Sequence, residues 1–178
     1  MEDLDKELVR RARLGDKDAF AAIYEHNLPR IYRFIYFKTA NRATAEEITQ
    51  EVFLAALRAI PRYHDEGFLV SSWLYEIARN KVIDFYRSKK SDISIDEELE
   101  ERPELTSTDF VKTMETKIEA DKLKNLLKKL PEDYQNIILL RFVEDLSNEE
   151  VAHSLGKSLG AVRVLQHRAL KALRKLVE

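Results

Sequence analysis

Four glycines and four prolines are the only strong chain-breakers in 178 residues. A turn-rich all-β fold needs such residues at nearly every reversal, so a chain this poor in them is steered towards helices. Hydrophobic residues make up 44%, enough for a core, and 35% are charged, which suits a soluble globular protein. The length allows one domain or two small ones. No apolar run approaches the roughly 20 residues of a membrane span, and the N-terminus, MEDLDKELVRRARLGDKDAF, has no apolar signal core. The absence of cysteine excludes disulfides, thiolate metal sites and thiol redox sensing. A cytoplasmic protein fits best.

The net charge of −2 conceals a pattern. Residues 1–90 carry 16 basic against 14 acidic side chains, residues 91–116 carry 2 against 9, and residues 117–178 carry 12 against 9. An acidic segment thus separates two mildly basic halves. A nucleic-acid binder looks neutral overall when its basic charge is gathered on faces.

Residues 4–14 predict a short helix. Asp16 is placed to cap a second helix from Lys17 to about Thr39, with Phe20, Ile23, Tyr24, Ile31, Phe34 and Ile35 at helical spacing and Pro29 expected to kink or interrupt it. The aromatic residues there, Tyr24, Tyr32, Phe34, Tyr36 and Phe37, suit core packing. Thr44 with Glu47 three residues on reads as a capping box, and Pro61 stops the helical run after it. Between them Ile48, Val52, Ala55, Ala56 and Ala59 share one face, while Phe53 and Leu57 lie off it beside Glu46, Gln50 and Glu51. Two readings stay open: a core helix with a solvated acidic side, or a docking surface.

A loop is expected over 62–70. Ser71 or Ser72 would cap a helix from Trp73 to about Lys90, with Leu74, Ile77, Ala78, Val82 and Phe85 buried. Its outer side carries Arg79, Asn80, Lys81, Arg87, Lys89 and Lys90. Basic residues gather at helix C-termini for dipole reasons alone. Interleaved with Tyr75, Asn80 and Tyr86 they equally suit phosphate contacts and base stacking. The acidic segment 91–116 has little periodicity and reads as a mobile linker.

The last third is the most specific. A helical segment is expected over 117–129 and another over 131–142. Ser147 with Glu150 forms a second capping box and opens a short helix that Gly156 ends. After Lys157 and Ser158 a longer helix runs to about Leu176, with Val162, Leu165, Ala169, Leu173 and Leu176 inward. A short helix, a glycine turn and a longer helix make the helix-turn-helix pattern. No acidic residue occurs from Val151 through Val177, whereas Lys157, Arg163, Arg168, Lys171, Arg174 and Lys175 do. A one-sign run on a recognition helix is better explained by DNA than by a merely solvated face.

Three segments in this order resemble the extracytoplasmic-function sigma factors, the compact branch of the bacterial sigma-70 family. AEEITQEVFLAALRAI (45–60) is similar to the core-polymerase-binding helix. SWLYEIARNKVIDFYR (72–87) is similar to the promoter-melting, minus-ten-reading segment. LPEDYQNIILLRFVEDLSNEEVAHSLGKSLGAVRVLQHRALKALRKL (130–176) is similar to the minus-thirty-five-reading domain. The chain departs from the commonest pattern at Thr44, Ala161, Val164, Leu165 and Gln166.

The resemblance implies an all-α protein of two small helical domains joined by the acidic linker: residues 1–90, the linker 91–116, and a helix-turn-helix domain at 117–178. It implies a transcription initiation factor with no catalytic residues, metal or cofactor. Its partners would be core RNA polymerase (β′ and β subunits), promoter DNA and a cognate anti-sigma factor, which could hold the cytoplasmic protein at the membrane without insertion. Glu46, Glu47, Gln50, Glu51, Phe53 and Leu57 would contact polymerase. His64, Phe68 and Asn80 would capture a flipped minus-ten base, with Arg79, Lys81, Arg87 and Lys90 on phosphates. Ser158, Ala161, Arg163, Gln166, His167, Arg168 and Lys171 would face the minus-thirty-five element, Arg163 and Gln166 at base edges. The linker would pass along the polymerase's RNA exit path.

A free-standing helix-turn-helix regulator accounts for 130–176 but leaves 45–60 and 72–90 unexplained. A sigma-like decoy conflicts with the basic final helix. An enzyme lacks support: His64, Asp65, Ser71 and Ser72 have no nucleophile elbow, and His26, His64, His153 and His167 lack metal-ligand spacing. Because an acidic linker joins two basic halves, the two domains are expected to pack together in the free chain and mask the DNA-reading faces.

Overall fold

The computed structural model describes residues 2–64, 66–92 and 117–177. All its regular elements are helical: α1 (Glu2–Arg13), α2 (Lys17–Thr39), α3 (Arg42–Ala59) with a 3₁₀ turn at Ile60–Arg62, α4 (Val70–Asp92), α5 (Lys117–Leu127), α6 (Glu132–Ile138) with a π-helical turn at Leu139–Val143, α7 (Asn148–Leu155) and α8 (Leu159–Val177). The expected linker behaviour of 93–116 lies outside the described residues, as do the side chains of Lys90 and Asp65. α4 continues through Asp92, two residues into the segment read as linker.

Helices α1–α4 pack around Ile23, Ile31, Phe34, Ile35, Val52, Leu74 and Val82, all essentially inaccessible to water. Asp16 caps α2 as its sequence position implies, accepting from the amides of Asp18 and Ala19 at 3.0 and 3.1 Å. Pro29 does not break α2, which runs unbroken to Thr39. Pro29 and Glu25 are both exposed, so the carbonyl that the proline leaves without its helical donor faces water.

Two helix starts differ from expectation. Ala40 adopts a left-handed conformation (φ 54°), and Asn41 caps α3 by accepting from Thr44 N at 2.9 Å. The tight corner starts the helix before the capping box read at Thr44. α4 begins at Val70, whose amide donates to Asp5 Oδ2 of α1 at 2.9 Å. This cap comes from 65 residues away, and Ser71 and Ser72 are buried inside the helix instead of capping it.

Helices α5–α8 contribute Leu127, Ile137, Leu139, Leu140, Leu146, Val151 and Val162 to the same buried hydrophobic cluster. The capping box at Ser147 and Glu150 is complete, and Gly156 ends α7 with φ 60°. The segment read as one helix over 131–142 changes pitch instead. Glu144 N donates to Leu139 O at 2.9 Å, Leu146 N donates to Leu140 O at 3.0 Å, and Asp145 takes a left-handed backbone (φ 56°). A π-turn inserts one residue and rotates the chain beyond it, so it aims a side chain where an α-turn would not.

The two helical groups pack directly against each other, α7 lying on α4. Ser154 Oγ donates to Ser72 O at 2.9 Å, and Lys38 Nζ of α2 donates to Asn136 Oδ1 of α6 at 3.0 Å.

Candidate functional site

Three surfaces carry the residues singled out by sequence. On α3, Glu46, Glu47, Gln50 and Glu51 are exposed, and Leu57 is 48% exposed. Phe53 is not on this surface. It is buried, its ring edge-on to Tyr24 of α2 at 4.7 Å. The helical wheel placed Phe53 off the face set by Ile48 and Val52, but α2 crosses α3 on that side and encloses it. Leu54, which the sequence reading passed over, is 52% exposed and stands with Leu57 among the carboxylates.

Around α4 the structure engages some of the expected residues and leaves others open. Arg79 Nη1 donates to Leu155 O, the end of α7, at 2.8 Å, and Nη2 donates to Asn80 Oδ1 at 3.1 Å. Lys81 pairs with Glu51 of α3 at 3.0 Å. The Phe68 ring meets His153 of α7 at 4.7 Å, and His153 Nε2 lies 3.3 Å from Glu66. Arg87 and Asn80 are exposed. Exposed His64 lines a cavity of about 490 Å³ with Arg58, Arg62, Trp73 and His153. Tyr75, read as a candidate for base stacking, is fully buried against Phe34, and burial pushes its hydroxyl well above the usual range.

On α8, Arg163, His167, Arg168, Lys171, Arg174 and Lys175 are all exposed, with Gln166 half-buried. Val162 and Ala169 hold the helix to its core, while Leu176 is 36% exposed and adds little. Ser158 serves locally: its Oγ accepts from Ala161 N at 3.2 Å and caps the helix start. Lys157 pairs with Asp133 at 3.2 Å and fixes the turn to α6.

The residue the sequence reading missed is Glu144, whose side chain has no exposed surface. Its carboxylate accepts from Arg33 Nε and Nη2, both at 2.7 Å, and from the Tyr75 hydroxyl at 2.8 Å. Arg30 Nη2 donates to its carbonyl at 2.6 Å, with Arg30 Nε 3.5 Å from the carboxylate. The bond to Glu144 holds the Arg33 guanidinium still more firmly charged. Nearby, burial pushes Lys38 down to about 8, against Glu132 and Asp133, which pull it up. A buried carboxylate survives only when its lone pairs are met this fully. No local pattern marks Glu144, because its partners lie 69 to 114 residues away.

The expected masking of both reading faces is therefore half right in its outcome. α7 covers α4, but the basic side of α8 faces water. Among the described residues the contact runs through Glu144, Ser154, Asn136 and the end of α7.

Residues 23–91 match Sigma-70 region 2, and residues 120–173 match Sigma-70 region 4. Among curated proteins, the chain is 35% identical to "ECF RNA polymerase sigma factor BldN" of Streptomyces coelicolor, over 96% of this chain and 65% of that one. It is 33% identical to "ECF RNA polymerase sigma factor SigW" of Bacillus subtilis, over 98% and 97%. Its fold is similar to that of CnrH in complex with the cytosolic domain of CnrY, at a TM-score of 0.75 and 22% identity over 98% and 97% of the two chains. It is also similar to sigma factor RpoE in complex with the anti-sigma factor NepR from Bartonella quintana, at 0.68 and 22% over 89% and 96%.

Proposed function

The chain belongs to the extracytoplasmic-function sigma factors of the sigma-70 family, and we propose that it gives core RNA polymerase promoter specificity by docking through α3 and reading DNA through α4 and α8. The observation that carries this reading is a basic, acid-free α8 exposed at the end of a chain whose first helical group bears an apolar pair set in carboxylates. A sigma factor makes and breaks no bond. It positions DNA, so its work lies in binding surfaces and no catalytic residue is assigned.

Leu54 and Leu57 of α3 anchor the polymerase contact. Glu46, Glu47, Gln50 and Glu51 ring them and orient the approach more than they hold it. Phe53 supports that surface from beneath. His64, Phe68 and Asn80 form the pocket for a base flipped from the minus-ten element, where a fitted pocket offsets the few kcal/mol of unstacking. Arg79, Lys81, Arg87 and Lys90 hold phosphates. Arg163 and Gln166 read base edges in the major groove, Arg towards guanine and Gln towards adenine, while His167, Arg168 and Lys171 hold the backbone. Polymerase fixes the spacing of two surfaces that are weak separately. Residues 1–90 and 117–178 act as the two modules and 91–116 as their tether. A cognate anti-sigma factor is the expected inhibitor, and the cytoplasm the place of action. Among the described residues no helix is long and apolar enough to cross a membrane.

The test is a pull-down of bacterial core RNA polymerase with the wild-type chain and with Leu54→Ala plus Leu57→Ala. Capture by the wild type and loss in the double variant, with helicity unchanged, supports the reading. No capture by the wild type, with tight duplex binding by the chain alone, overturns it in favour of a free-standing regulator.

A further inference from the structure

The cluster around Glu144 has the composition of an anion site. Arg30 and Arg33 on α2 and the Tyr75 hydroxyl on α4 converge on one carboxylate supplied by the other helical group. Arg33 grips it with both prongs of its guanidinium, a geometry that serves a phosphate as well as a carboxylate. The same side of α4 holds a second negative group: Arg79 takes the carbonyl of Leu155 at the C-terminal end of α7, where the helix dipole is negative. Among the described residues nothing accepts from the buried Nε of Arg79. α7 and the π-turn thus present two negative features to two basic sites of the first group.

The backbone is shaped to deliver Glu144. The π-turn at Leu139–Val143 and the left-handed Asp145 both flank it. A non-glycine residue held left-handed persists only where its surroundings fix it. When the groups separate, Glu144 leaves with α7, whereas Arg30, Arg33, Tyr75 and Arg79 stay together on α2 and α4.

We propose that Arg30, Arg33 and Tyr75 form a phosphate site for single-stranded promoter DNA, and that Glu144 of the closed chain occupies it as an internal competitor. The site extends the minus-ten surface from α4 onto α2. The covering is selective: the α3 docking face and the basic side of α8 stay exposed, so polymerase engages the closed chain, and by spacing the two groups it withdraws Glu144 and frees the site for DNA. This inference rests on the sigma-factor reading.

The test uses the full chain and a labelled single-stranded oligonucleotide, without polymerase. Separation of the groups is monitored by small-angle scattering, and folding by circular dichroism. Glu144→Gln should open the chain and tighten oligonucleotide binding about tenfold, with a steep salt dependence. Arg30→Ala plus Arg33→Ala should open it equally and bring only the slight tightening that uncovering Arg79 on α4 gives, because the phosphate site is lost with the latch. Arg33→Lys keeps the charge but loses the fork, so it should open the chain and keep part of the gain even where the buried amide of Glu144→Gln disturbs the fold. Opening without tighter binding in both Glu144→Gln and Arg33→Lys overturns the phosphate site. A folded Glu144→Gln chain that stays closed overturns the latch. Because the assay contains no polymerase, failure of the sigma-factor reading shows separately, in the pull-down.

Discussion

α4 and α8 are both basic helices proposed for DNA, yet the other helical group engages the middle of α4 while the basic side of α8 meets water along its length. Arg163, His167, Arg168 and Lys171 are exposed. Arg79 and Lys81 are already engaged, one by the end of α7 and one by Glu51. Both helices obey the same sequence rules, with an apolar stripe inward and cations outward. The difference arises from what else shares their surroundings. α8 has buried Val162 and Ala169 behind it and, among the described residues, nothing over its basic side. α4 has a core behind it and the first helix of the helix-turn-helix in front. A basic face shows where an anion can bind, but not which anion arrives first.

The largest expected effect comes from α7, because one helix serves both surfaces. Val151 has no exposed surface and packs α7 into the core. Val151→Asp places an unpaired charge there and should cost about 3–5 kcal/mol. Thermal melting by circular dichroism should show the second helical group unfolding first. Duplex binding through α8 should vanish while limited proteolysis finds α4 newly accessible. Loss of α8 binding with α4 still protected would mean that something other than α7 covers it.

A middle-sized effect separates the two faces directly. Arg163→Ala should weaken binding to a minus-thirty-five duplex by about 1–3 kcal/mol, both in the free chain and in holoenzyme. Arg79→Ala should leave oligonucleotide binding by the free chain nearly unchanged and weaken the minus-ten contact only in holoenzyme. Fluorescence anisotropy on both forms checks the pair. An equal loss for Arg79→Ala in both forms would show that α7 does not cover α4 in solution.

Lys38 offers a pH lever on the same interface. Its Nζ is buried against Asn136, with Glu132 and Asp133 facing it from α6 and the Tyr86 hydroxyl bonded to its carbonyl from α4. Burial sets it at about 8 in the closed chain, below the ordinary 10.5. A lowered amine means that the closed form binds fewer protons than the open one. Closure is therefore penalised most below pH 8 and gains as pH rises from about 8 towards 10. The gain should be on the order of 2 kcal/mol and should disappear in Lys38→Met, read from scattering profiles across that range. A wild-type profile flat between about pH 8 and 10 would place Lys38 away from the closing equilibrium.

These contrasts mark how far sequence reached. Asp16, Ser147 with Glu150, and Gly156 were legible because their hydrogen bonds stay within a few residues. The acid-free α8 was legible because a one-sign run needs no partner to be noticed. The start of α4 was not, since Asp5 caps it from another helix. Phe53 and Tyr75 were misplaced for a related reason. Helical periodicity tells which face is apolar, but a helix crossed on two sides buries more than its stripe. Glu144 was invisible as one acidic residue among 32, and only tertiary packing gathers Arg30, Arg33 and Tyr75 around it.

The smallest effect tests whether the two surfaces share one support. Ser147 Oγ accepts from Glu150 N at 3.1 Å, and Glu150 Oε2 accepts from Ser147 N at 2.7 Å, which fixes the start of α7 just after Glu144 and Asp145. Ser147→Ala removes one half of this box and should cost about 1 kcal/mol. If α7 is the common support, that loss should appear twice and with opposite sign. Duplex binding through α8 should weaken slightly because its scaffold frays, and oligonucleotide binding through α4 should strengthen slightly because its cover loosens. Both are read by anisotropy on a single preparation. A change in the duplex signal alone would assign Ser147 to the helix-turn-helix and leave the cover to Glu144 and Ser154.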